Sequence, residues 1–122
     1  MLNQYEDAID LLGFDGIHID QMGSYWGNID YYDYNGNYVD LGKTFPGYVD
    51  TIKAGLENKY SAGAYVTMNM VNGGTPANDS FSSEYITKYA DTDFSFSEIW
   101  ENSNTYNDLK SFIEWSRDNS DG

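Results

Sequence analysis

Gly13-Phe14-Asp15-Gly16-Ile17-His18-Ile19-Asp20-Gln21-Met22-Gly23 is the stretch on which the reading of the fold turns. Phe14 to Asp20 has the look of a short buried strand, bounded by glycines, that ends on a carboxylate. Side chains alternate along a strand, so Ile17 and Ile19 share one face while Gly16, His18 and Asp20 share the other. An apolar face opposed by His and Asp is unusual for a plain core strand. An acidic residue at the C-terminal end of a parallel strand is where α/β barrels carry their chemistry.

Working outward, residues 4–12 read as a helix with Tyr5, Ala8, Ile9 and Leu12 at helical spacing and Gly13 as its stop. Residues 21–43 read as a long polar-aromatic loop. Within it, Tyr31 to Val39 predicts a hairpin turning at Asn35-Gly36. Asp33, Asn35 and Asn37 alternate as in a calcium loop. The glycine sits at the fourth position of that run rather than the sixth and no Glu follows at the twelfth, so the hairpin is preferred. A second helix is expected over 44–59, with Thr44 as N-cap, Pro46 in the first turn and Tyr48, Ile52 and Leu56 facing a core. Gly55 weakens it in the middle.

A second strand follows at 62–70, then a Gly-rich loop, then a helical stretch at 82–90. Asn78-Asp79-Ser80 fits a glycosylation sequon, a short and weak pattern. Asp93 to Ser97 predicts a third strand delivering Glu98, and 105–117 a last helix with Leu109, Phe112, Ile113 and Ser116 on one side. Strands alternating with helices predict parallel strands joined by right-handed crossovers, an α/β fold.

Bulk properties limit the partners. The 122 residues carry 6 Lys+Arg against 20 Asp+Glu, a net charge of −14. That argues against nucleic acid and anionic membranes, which need clustered cations. No apolar run approaches a membrane span and no signal peptide is evident in this stretch. With no Cys and a single His, thiolate chemistry and a metal centre are not expected. The 12 Tyr, 6 Phe and 3 Trp are many, and several fall in loops, where a flat face with a polar edge suits sugars.

Two of the three strands end in carboxylates, Asp20 and Glu98, and the strand between them ends in Asn69. In a closed parallel barrel such ends face one mouth. A pair of carboxylates there can flank one glycosidic bond, one as nucleophile and one as acid/base. Phe94, Phe96 and Trp100 offer Glu98 the drier surroundings that favour a protonated acid. A Ser-His-Asp triad lacks its Gly-x-Ser-x-Gly elbow. The competing reading is a non-catalytic carbohydrate-binding α/β protein whose Asp and Glu only hydrogen-bond sugar hydroxyls.

Phe14-Asp15-Gly16-Ile17-His18-Ile19-Asp20-Gln21-Met22-Gly23, Tyr32-Asp33-Tyr34-Asn35-Gly36, Phe96-Ser97-Glu98-Ile99-Trp100 and Tyr106-Asn107-Asp108-Leu109 together resemble glycoside hydrolase family 66, in order and along nearly the whole chain. The resemblance implies a catalytic (β/α)8 TIM barrel, of which residues 1–122 would be a part of about strands four to six, truncated at both ends. Such a barrel needs about 250 residues. It implies retaining cleavage of α-1,6-glucan with Asp20 as nucleophile and Glu98 as acid/base, by a secreted bacterial enzyme without a cofactor. His18, Gln21, Tyr25, Trp26, Asn69 and Trp100 are the expected substrate-binding residues. The main expectation is an endo-dextranase. The alternative is a glucanotransferase making cyclic isomaltooligosaccharides. Alpha-amylase-type barrels carry their acid on the strand next to the nucleophile, where this chain has Asn69. Families 31 and 36 carry Asp where this chain has Glu98.

Overall fold

A computed structural model describes residues 1–22, 30–60, 63–70, 87–98 and 105–120. Helix α1 (Leu2–Leu12) leads into strand β1 (Gly16–Met22), the hairpin β2 (Tyr31–Tyr32) and β3 (Tyr38–Val39), and helix α2 (Leu41–Lys59). Strands β4 (Tyr65–Met70) and β5 (Phe94–Phe96) and helix α3 (Tyr106–Asn119) follow. Residues 87–89 are helical; the rest of the stretch expected at 82–90 lies outside the described residues. The sheet order is β1-β4-β5 with both pairings parallel, as the alternation of strands and helices predicts.

The sheet has two unlike faces. Ile19, Val66, Met68 and Met70 are buried against Val49, Ile52 and Leu56 of α2, and Ile17 packs beside them. This is the apolar half of the alternation. The opposite face carries His18, Thr67 and Phe94 in one cross-strand row and Asn69 and Phe96 in the next. Paired rows of this kind fill the interior of parallel barrels.

Pairing on β1 begins at Gly16, two residues later than the sequence suggests. Gly16 lies against Tyr65 so closely that an added Cβ would sit 2.8 Å from the Tyr65 nitrogen and carbonyl carbon, and closer still to its oxygen. Phe14 precedes this contact and is 54% exposed. Gly16→Ala is therefore expected to cost about 1–3 kcal/mol by forcing the two strands apart. A lower urea midpoint in the full-length protein checks this; a midpoint unchanged from the parent would refute the close approach.

Helix α2 begins three residues before its expected start. The Thr44 N–H donates to the Asp40 carbonyl at 3.1 Å, so Thr44 is inside the first turn and Pro46 falls within the helix. Gly55 has a packing reason: a Cβ there would lie 2.6 Å from Leu2 Cδ2 of α1. The two helices are also joined by Lys59, which donates to Glu6 and Asp10 at 2.9 and 2.8 Å. Gly13 ends α1 at φ 72°, as the sequence predicts. The Thr105 hydroxyl caps α3, accepting from the Asp108 N–H while the Asp108 carboxylate accepts from the Thr105 N–H. Phe112 is half-buried, whereas Leu109 and Ile113 stay exposed.

The hairpin forms where expected, Tyr31 opposite Val39 and Tyr32 opposite Tyr38. The Asp33 carboxylate accepts from the Asn35 and Asn37 N–H groups at 2.8 and 2.9 Å and from Asn37 Nδ2 at 3.0 Å. The Asn37 side chain, then its N–H, hold the Asp33 carboxyl below the usual carboxylate range. The Asp33 carboxylate is thus engaged by the turn itself.

Candidate active site

The C-terminal ends of β1 and β4 do not continue in simple register. Ile19 pairs with Met68 and Met22 with Met70, so Asp20 and Gln21 together oppose Asn69. A bulge of this kind bends a strand and re-aims a side chain. Here Asn69 Nδ2 donates to Asp20 Oδ1 at 2.8 Å. On its other side, the Glu98 N–H donates to Asn69 Oδ1 at 3.1 Å. One side chain on the middle strand therefore holds both strand ends that carry the carboxylates. Asn69 was expected as a substrate contact; it is 3% exposed and its amide is engaged by protein at both ends.

Strand β5 has three residues, and side chains at both of its ends reinforce its backbone pairing with β4. At its start Asp93 Oδ2 accepts from the Val66 N–H at 2.6 Å, and the Asp93 N–H donates to the Val66 carbonyl at 2.9 Å. At its end Ser97 Oγ donates to the Met70 carbonyl at 2.6 Å, beside the Glu98–Asn69 bond. Behind Asp93 sits Lys53 of α2, 9% exposed, with Nζ 2.8 Å from Asp91 and 3.5 Å from Asp93. Burial alone would pull the Lys53 ammonium down; the Asp91 hydrogen bond and the Asp93 and Asp91 charges outweigh it and hold it above the usual lysine range. These groups lie at the end of the strands away from Asp20 and Glu98. Their place suits stability rather than chemistry.

Below the Asp20–Asn69 contact, His18 Nδ1 is 2.7 Å from Thr67 Oγ1, and the Phe96 ring meets the imidazole edge-on at 5.9 Å. Sequence reasoning missed Thr67; the period-2 pattern that places Asn69 on this face also places Thr67 there. Glu98 is half-buried. Phe94 and Phe96 are 58% and 48% exposed, so the described residues do not by themselves dry its surroundings. A cavity of about 210 Å³ lies beside this end, lined by Met70, Phe96, Ser97, Phe112, Ile113 and Ser116. Gln21 is placed by its backbone alone, and Tyr25, Trp26 and Trp100 lie outside the described residues. No helix among the described residues is long and apolar enough to cross a membrane.

This is a parallel α/β unit in which one buried amide joins the Asp20 carboxylate to the Glu98 backbone at the strand C-terminal ends. Residues 1–122 match the sequence profile of glycosyl hydrolase family 66 along their whole length, and the chain belongs to that family. Two curated relatives, both cycloisomaltooligosaccharide glucanotransferases of Niallia circulans, are 43% and 44% identical over 119 and 120 residues. The alignments take in 95% and 96% of this chain, and the chain spans only 11% and 12% of those relatives. A crystal structure of a Paenibacillus sp. cycloisomaltooligosaccharide glucanotransferase complexed with cycloisomaltoheptaose superposes with a TM-score of 0.84 at 38% identity. It covers 98% of this chain, which corresponds to 16% of that one. The relatives are glycoside-active enzymes.

Proposed function

We propose that residues 1–122 form about strands four to six of a (β/α)8 barrel in an enzyme that cleaves α-1,6-glucan by retaining double displacement and passes the glucosyl chain to a sugar hydroxyl. The observation that carries this is the convergence of Asp20 and Glu98 on Asn69 at one end of a parallel sheet. In the first step the Asp20 carboxylate attacks the anomeric carbon. The glycosidic C–O bond breaks, and Glu98 gives its proton to the leaving oxygen. In the second step an incoming hydroxyl gives its proton to Glu98 and attacks the same carbon, expelling the Asp20 carboxylate.

His18, with Nδ1 engaged by Thr67, keeps Nε2 for a sugar hydroxyl. Gln21, Tyr25, Trp26 and Trp100 complete the substrate contacts in this reading, the aromatics by stacking on glucose rings. The names of the relatives favour transfer with cyclisation over the endo-dextranase expected from sequence. An extracellular location is part of the same reading, since dextran is too large to enter a cell.

Dextran incubated with the complete barrel should yield cyclic isomaltooligosaccharides, seen by mass spectrometry as products one water lighter than the linear series. Linear oligosaccharides alone would return the reading to a dextranase. No change in dextran chain length would favour the carbohydrate-binding alternative.

A further inference from the structure

We infer that Asn69 is a positioning residue that sets the nucleophile and the acid/base relative to each other, and that it does not bind sugar. The inference rests on the catalytic reading of Asp20 and Glu98. The amide orientation is fixed by chemistry. A backbone N–H only donates, so Oδ1 must face Glu98; an ionised carboxylate only accepts, so Nδ2 must face Asp20. Both contacts lie within hydrogen-bond range, at 2.8 and 3.1 Å, and the residue is 3% exposed, which leaves almost no surface for a ligand.

A hydrogen bond to a charged group is stronger than a neutral one, so the Asp20 arm fixes the carboxylate oxygen that it holds. The Glu98 arm holds the peptide rather than the carboxyl, leaving the acid/base side chain able to serve both steps. The β1 bulge is what makes this possible, because it sets two residues of β1 against the single Asn69. Among the described residues, the titratable groups on this face are His18 and Asp20 on β1, Tyr65 at the far end of β4, and Glu98 after β5. Asp93 lies at the far end of β5 with its carboxylate on the Val66 N–H.

In the complete barrel, Asn69→Ala should lower kcat about 100-fold, the size of effect seen when reacting groups are misplaced by about 1 Å. KM for dextran should stay within about threefold, because no ground-state contact is lost. Asn69→Asp separates the arms. Its carboxyl still accepts from the Glu98 N–H at any pH, but donates to Asp20 only while it holds a proton. Its activity should therefore approach the parent's at acid pH and fall as pH rises, with the alkaline limb moved to lower pH, a displacement absent from Asn69→Ala.

A raised KM with kcat kept would make Asn69 a sugar contact and overturn the inference. So would Asn69→Asp being as inactive as Asn69→Ala at every pH, or Asn69→Ala keeping its kcat. If Asp20→Gly keeps its turnover, the catalytic reading itself falls; if Asp20→Gly is inactive while Asn69→Ala is not, only the positioning role falls.

Discussion

Asp20→Gly in the full-length protein is expected to lower turnover of dextran by about 10⁴-fold or more, in line with the loss of a covalent nucleophile in other enzymes. In transition-state terms that is about 5.5 kcal/mol. The loss should be chemical rather than structural, because Asp20 is exposed and takes no part in the core under α2. The glycine leaves a space beneath the anomeric carbon. Azide entering it should attack from the face that Asp20 would use and give a β-glucosyl azide from an α-linked substrate. Identification of that azide by NMR checks the assignment. Turnover kept within tenfold of the parent, or an α-azide, would remove Asp20 from the nucleophile role.

The second large effect is expected at Glu98. Glu98→Gln keeps the size of the side chain and leaves the peptide N–H on Asn69, so the sheet end should hold its geometry. Loss of a general acid costs about 10²–10⁴-fold, and turnover of dextran should fall within that range. A glucosyl or isomaltosyl fluoride needs no proton for departure and should still load Asp20. The second step then lacks its base, so the glycosyl-enzyme should accumulate and be seen as a mass increase on the peptide containing Asp20. Equal losses on dextran and fluoride, with no adduct, would mean that Glu98 does not act as the acid.

Much of this site was legible before the fold was known. The alternation Ile17-His18-Ile19-Asp20 separates a helix-packed face from a polar one, and the same period places Thr67, Asn69, Phe94 and Phe96 beside it. Helix–strand alternation was enough to order β1, β4 and β5. Other features depend on contacts made far along the chain. The late start of β1 follows from Gly16 meeting the Tyr65 backbone. Lys53 is an unremarkable residue of an amphipathic helix until Asp91 and Asp93 arrive nearly forty positions later. Thr44 and Pro46 have the chemistry of a helix start, yet the Asp40 carbonyl opens the first turn earlier. The role of Asn69 was hidden most deeply: it needs the bulge at Asp20-Gln21, which no side-chain pattern announces.

The attachment of Asp20 and Glu98 to one residue of β4 bears on how new product spectra arise within such a scaffold. Both strand ends are fastened inward, to the middle of the sheet. In the proposed catalytic reading, loops beyond these ends can diverge in length and composition while the two strand ends keep their spacing. On that reading, whether a glucosyl chain is passed to water, to another chain or to its own far end becomes a trait that loop exchange can rewrite, and a donor loop need carry no instruction for the chemistry itself.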